Sequence, residues 1–511
     1  MQSNESSYRS IFKSTFLFGF VQVFNIVMKA AINKAVAILL GTEGMGVISL
    51  YNSAVNMLRT VAGLGIPQSA VRDVAEANAT CEIEKLNRII TVTKKIVWFT
   101  ALLGAVVTIV FARVLSDVSF NNRDHIVAFI FLSMAVFLSI VSEGELAILK
   151  GMRRLRDLAK ASVYGSSLGL LISVPLYYFW GFAGIVPSLI LAAGFSALIA
   201  WLYVRKVNYV RLVMENRTVF TDGKGMIKMG LAFMYLSLFG MLSDFIIRAF
   251  ISHQSGLDEV GIFQAGSTIV VAYFGIITTA LTTDYYPRIS AIHSDNQALV
   301  IEVNRQAEVG LLLMGPLVVL FMFAMPLFIR ILYTEMFLQS MEYIQYAIFS
   351  ILITIYSNTM GMILLAKQKS SIFVYTTTIM NVLSIVFNLV AYYYWGLTGL
   401  GISSIIVAVC HLLLMCGIMK KVYHIVFKTR AVKIFIFTCA FCLLSFFVKD
   451  LNHLFLRYGL GMVIFGCSFF YSLCLMRSVI NLSLAGLLSK FWGRKPGKYD
   501  IAIARRRHDY L

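Results

Sequence analysis

Long apolar stretches alternate with short polar segments along nearly the whole chain, and the polar segments are mostly basic. A helix needs about 20 apolar residues to cross the hydrocarbon of a bilayer, and fourteen stretches qualify. The first lies near 14–40 and the second near 46–66, and the last two lie near 432–448 and 458–476. This pattern predicts an all-α polytopic membrane protein. The first apolar segment is long and lacks a small-residue cleavage site, so it is expected to stay as an uncleaved anchor.

A repeat runs beneath the apolar pattern. The stretch YYFWGFAG at 177–184 returns as YYYWGLTG at 392–399, and the same spacing pairs Gly46 with Gly261, Lys13 with Lys228, and Arg205–Lys206 with Lys420–Lys421. Self-similarity at one long period marks two copies of a structural unit, here roughly 8–206 and 223–421. The expected organisation is a six-helix bundle over 1–206, a second over 223–421, an extra helix pair over 430–478 and a cytoplasmic tail over 479–511. An even number of spans per copy makes the two copies parallel, an architecture of secondary transporters that handle substrate between the bundles. In each copy the WGxxG motif is expected to form a tight reversal between the fifth and sixth spans, with Trp180 and Trp395 at headgroup level. Gly41, Gly44 and Gly46 read as a short loop between the first two spans. In the tail, Leu484, Leu487, Leu488 and Phe491 share one helical face ahead of a basic cluster, which suits an amphipathic helix on the inner membrane surface.

Composition agrees with the pattern: 59% of residues are hydrophobic, 14% are charged and the mean hydropathy is +0.81. The net charge of +19 might point to nucleic acid, but its distribution points elsewhere. If the N-terminus is inside, 35 of the 44 Lys and Arg residues fall in cytoplasmic segments. That is the positive-inside asymmetry, and it predicts both termini in the cytoplasm. Basic loops beside anionic membrane lipids then account for the charge, and no nucleic-acid partner is expected. The seven cysteines form no disulfide framework. Cys439 and Cys442 have redox-motif spacing but lie on an apolar helix without a partner, so they read as packing.

Charge inside hydrocarbon costs about 3 kcal/mol or more unless it faces an interior or aqueous cavity, so candidate chemistry is sought there. Gln22, Asn25, Lys29 and Asn33 recur at three- and four-residue spacing and form one polar stripe on the first span. Lys29 is near mid-span, and Lys34 is nearer the outer end. Arg59 lies near mid-depth in the second span. Asp244 and Arg248 are four residues apart in the seventh span, where they read either as a structural pair or as functional groups. Glu143 and Glu145 in the fourth span and Asp284 at the end of the eighth are candidates for gating or ion coupling. The chain has no P-loop, HExxH or GxSxG motif. No catalytic group, metal site or cofactor is expected, and energy would come from a proton or sodium gradient or from the substrate's own gradient.

The string TEGMGVISLYNSAVNMLRTVAGLGIPQSAVRDVAE at 42–76 and its echo LDEVGIFQAGSTIVVAYFGIITTALTTDYYPRISAI at 257–292 resemble the oligosaccharide flippases of the O-antigen and enterobacterial common antigen type. These share a superfamily with multidrug and toxic compound extruders and the peptidoglycan lipid flippase. The resemblance implies translocation of an undecaprenyl-diphosphate-linked oligosaccharide from the inner to the outer leaflet through a two-lobed cavity that is cationic for the diphosphate. Lys29 and Arg59 match that role by type and depth, with Asn25, Asn33, Lys34 and Arg248 as further substrate-binding candidates. Asp244, Glu143, Glu145 and Asp284 are the candidates for ion coupling or gating. A monomer is expected, with association with glycan polymerisation machinery open. Two alternatives stay open as well: an ion-coupled multidrug exporter of the same fold, and a membrane glycosyltransferase or polymerase.

Overall fold

The computed structural model describes residues 2–480 except 81, 208, 211, 368, 424–428, 450 and 452. Side chains at 2–19, 283, 284, 370, 429, 454 and 477–480 are also outside the description. The tail helix expected beyond 479 and the loop residue Cys81 therefore lie outside the described residues. In chain order the helices are α1 (Gln2–Leu39), α2 (Gly41–Ala62), α3 (Ile66–Ala79), α4 (Ile83–Val110), α5 (Ala112–Phe120) and α6 (Ile126–Gly151). Then come α7 (Leu155–Trp180), α8 (Ile185–Val204), α9 (Asn216–Asp222), α10 (Lys224–Ser255), α11 (Leu257–Ser267) and α12 (Phe274–Ala291). The chain continues through α13 (Asn296–Leu332), α14 (Met341–Ala366), α15 (Ser370–Ile418), α16 (Thr429–Val448) and α17 (Leu454–Ile480). The described residues contain no strand, so the fold is all-helical.

Among the described residues, eleven stretches are long and apolar enough to cross a membrane. Two of them, Leu155–Val204 and Ser371–Tyr423, run to 50 and 53 residues because each contains a reversal. Gly181 has φ 54° and ψ −130°, and Gly396, its equivalent in the repeat, has φ 56° and ψ −140°. A side chain rarely adopts such dihedrals, which is why glycine stands at both turns. Trp180 and Trp395, just before them, are 60% and 64% exposed, as residues of an aromatic belt are.

The chain divides into two compact units. The first holds the described residues up to Gly275 together with Pro326–Ala347 and Ser370–Cys410. The second holds Ile276–Met325, Ile348–Lys369 and the described residues from His411 onward. These units cut across the sequence repeat, because the early helices of both copies pack against one another inside the first unit. There α2 lies along α10 and α11, while α4, α6 and α8 pack together and α1 lies against α7.

The approach of α2 to α11 is close enough to require glycine. A Cβ on Gly46 would lie 2.0 Å from the Leu257 carbonyl oxygen, and a Cβ on Gly261 would lie 2.0 Å from that of Thr42. Gly44 and Gly46 are thus inside α2, which begins at Gly41, and not in a loop between spans as the sequence suggests. The glycines serve helix contact, as small residues do in membranes. Within the second unit, Ser445 of α16 donates to the Val319 carbonyl of α13 at 3.0 Å, and Arg457 of α17 donates to that of Phe323 at 3.3 Å. The last two helices are thereby tied to α13.

Candidate functional site

The second span breaks where its polar content rises. Helix α2 stops at Ala62, Leu64 and Gly65 take positive φ, and α3 restarts at Ile66 with Pro67 in its first turn. Proline suits that position because its missing N–H would have no helical partner there. The break leaves Arg59 in the last turn of α2. Its Nη1 meets Glu143 Oε1 of α6 at 2.6 Å. The pair lines a cavity of about 100 Å³ between α2, α6 and α10, whose wall includes Gln68, Phe233, Ser237 and Met241. The Nε of Arg59 is buried and has no hydrogen-bond partner among the described residues. An unspent buried donor is costly, and here it belongs to a cation beside a cavity.

The polar stripe on α1 divides by function. Asn25 Oδ1 accepts from the Ser166 hydroxyl of α7 at 2.9 Å, which ties it to helix packing. Lys29 is exposed, and no hydrogen bond or ion pair of its side chain occurs among the described residues. Asn33 is half-buried beside Tyr333. Lys34 is held in place: its Nζ donates to the Arg330 carbonyl at 2.8 Å and also to the Tyr333 carbonyl. Those oxygens belong to the end of α13, where a cation satisfies the last carbonyls and the helix dipole together.

Arg248 is 7% exposed, and its donors are occupied. Nε donates to Ser49 Oγ at 2.8 Å, Nη2 to Gln264 Oε1 at 2.8 Å, and Nη1 to the Asp244 carbonyl at 3.0 Å, besides pairing with the Asp244 carboxylate. Ser49 in turn donates to Gln264 at 2.7 Å. The buried guanidinium therefore staples α10 to α2 and α11, and the Asp244 side chain at its edge is 49% exposed. Glu145 faces Lys94 of α4 at 3.1 Å, away from Arg59. The side chain of Asp284 lies outside the described residues. Among the ten candidates, the structure thus brings together Arg59 with Glu143 and Asp244 with Arg248, and it sets Lys34 and Glu145 with other partners.

Sequence reasoning missed Ser49 and Gln264. They stand 215 residues apart, so the repeat offset itself joins them. Two polar residues at equivalent positions of both copies were the available signal.

Residues 11–293 match the sequence profile of the family described as "Polysaccharide biosynthesis protein". The chain belongs to that family. Among curated relatives of this chain are the Lipid III flippases of Escherichia coli (strain K12) and Shigella flexneri. Each is 24% identical over 268 residues, which is 51% of this chain and 62% of the relative. The match thus spans less than two thirds of those proteins. Among solved structures, this chain superimposes on the lipid II flippase MurJ in an inward closed conformation. The TM-score is 0.71 at 12% identity, covering 92% of this chain and all of that one. An inward-facing multidrug resistance MATE family transporter gives a TM-score of 0.64 at 14% identity, covering 79% of this chain and 99% of that one. At such identities the shared property is the fold.

Proposed function

We propose that this chain is a flippase that carries an undecaprenyl-diphosphate-linked oligosaccharide from the inner to the outer leaflet of the bacterial inner membrane by alternating access. Arg59 binds the diphosphate, and Lys29 on the exposed face of α1 provides a second cation along the route. The observation that carries this reading is Arg59 itself, a cation on a cavity wall whose buried Nε has no hydrogen-bond partner among the described residues. Arginine suits phosphate oxygens because its donors form a planar fork. The family, and the names of the Lipid III flippase relatives, support the substrate class. An ion-coupled drug exporter of the same fold is less well supported, because Glu143, Glu145 and Asp244 are each held by a cation.

The test combines Lys29→Ala and Arg59→Ala in cells that depend on the chain for glycan export. The expected result is a normally expressed protein with lipid-linked oligosaccharide accumulating in the inner leaflet. Export at the wild-type rate from that double variant would overturn the cationic route.

A further inference from the structure

Glu143 and Glu145 sit two residues apart on α6, so the helix turns them to different sides. Glu143 faces Arg59, and Glu145 faces a second and larger space. This is a cavity of about 910 Å³ between α4, α6 and α8. Its wall carries three cations, Lys94, Lys95 and Arg205, against the single carboxylate of Glu145, a surplus of two positive charges. Trp98 and Trp201 stand at its edge, 56% and 37% exposed, and the Arg205 guanidinium lies 4.0 Å from the centre of the Trp201 ring. Leu198, also on the wall, is 46% exposed and extends the apolar border.

Tyr209 and Asn216, from the segment that joins the two sequence repeats, also line the cavity, and side chains of α4 bond to that segment. Asn87 accepts from the Val210 N–H at 3.1 Å, Thr91 from that of Leu212 at 3.3 Å, and Lys95 donates to the Met214 carbonyl. Arg88 closes the far end on Asp222 at 2.6 Å. Four side chains of α4 thus hold an irregular backbone beside the cavity. Cations beside tryptophans at the rim of an apolar surface are the chemistry that holds anionic lipid headgroups. The volume fits a headgroup and the start of its chain.

We propose that this cavity is a binding site for a phosphate-bearing lipid headgroup on the outward-turned side of the first bundle, separate from the cavity at Arg59. Lys95 and Arg205 contact the phosphate, Lys94 stays paired with Glu145, and the lipid chain leaves past Trp98 and Leu198. The phosphate can come from a bilayer phospholipid or from a polyprenyl diphosphate, and binding there does not depend on transport.

The purified full chain in detergent is titrated, with bound lipid read by native mass spectrometry, using short-chain phosphatidylglycerol, a short-chain polyprenyl diphosphate and phosphatidylcholine. Wild-type protein is expected to prefer an anionic lipid over phosphatidylcholine. Lys95→Gln and Arg205→Gln are each expected to weaken that binding about fivefold, and more when combined. Either single variant suffices if the combined one fails to fold, and melting curves report folding. Loss confined to phosphatidylglycerol assigns the site to bilayer lipid, and loss confined to the diphosphate assigns it to the glycan carrier. Unchanged affinity for both anionic lipids in a folded variant, or equal binding of phosphatidylcholine, overturns the proposal.

Discussion

Replacing Glu143 by Gln removes the carboxylate that occupies Arg59 and should therefore make the protein bind its anionic lipid more tightly while moving it more slowly. At the observed 2.6 Å the pair attracts by about 6 kcal/mol at an effective dielectric of 20. The side chains are 26% and 36% exposed, so solvent screening and desolvation reduce what an incoming phosphate must overcome to about 1 kcal/mol. Removing that competition predicts about fivefold tighter binding. Arg59→Ala, which removes the cation instead, shifts affinity the other way. The assay is titration of purified protein with a short-chain polyprenyl diphosphate, paired with export rates in cells. Release becomes harder as binding improves, so Glu143→Gln should lower KM and kcat together. If affinity for the diphosphate is the same in Glu143→Gln and wild type, and both melt alike, Arg59 does not meet phosphate and the assignment fails.

Three other outcomes are expected. Gly46→Ala places a methyl group against the Leu257 carbonyl and should cost about 2 kcal/mol or more through forced separation of α2 from α11, seen as a lower Tm; an unchanged Tm would refute the close contact. His125, in the turn before α6, stacks on Phe120 at 3.7 Å and hydrogen-bonds Tyr51 at 2.6 Å, and burial lowers its pKa from 6.5. The unfolded chain then binds the proton first, so the stability from this group is complete above about pH 6.5 and declines as pH falls below it; melting curves of wild type and His125→Phe between neutral and mildly acidic pH should differ in slope, and parallel slopes would contradict this. Charge bias puts Gly256 outside and Ser370 inside, so a cysteine at 256 should react with an impermeant thiol reagent in whole cells and one at 370 should not, and the reverse pattern would invert the direction of transport.

Much of the architecture was legible because it repeats. The WG motif forecast two reversals, and they occur with nearly the same dihedrals at Gly181 and Gly396. Mid-span Arg59 was legible as a candidate because charge in an apolar run is conspicuous. Its partner was not, since nothing local links α2 to Glu143 of α6, 84 positions later in sequence. Lys34 shows the same limit from another side: its role at the end of α13 depends on carbonyls nearly 300 residues away. Arg248 and Asp244 were visible as an i, i+4 pair, but Ser49 and Gln264, which occupy the remaining guanidinium donors, come from other helices. Periodicity reports one helix at a time, and tertiary partners are invisible to it.

The contact of α2 with α11 also says something about descent. Gly46 meets Gly261 and Ser49 meets Gln264, each its own counterpart in the other copy, and Gly46 faces the Leu257 carbonyl as Gly261 faces that of Thr42. Identical subunits make contacts of this kind around a two-fold axis, where one surface patch serves both partners. A half-length ancestor could have formed the same seam as a homodimer before its gene was doubled. Once the halves were fused, the two sides of the seam no longer had to mutate together. One side could keep a serine and the other take a glutamine, and the position of Lys29 could be matched in the second copy by Asp244. Asymmetry of charge, which a homodimer cannot have, became available to a single chain.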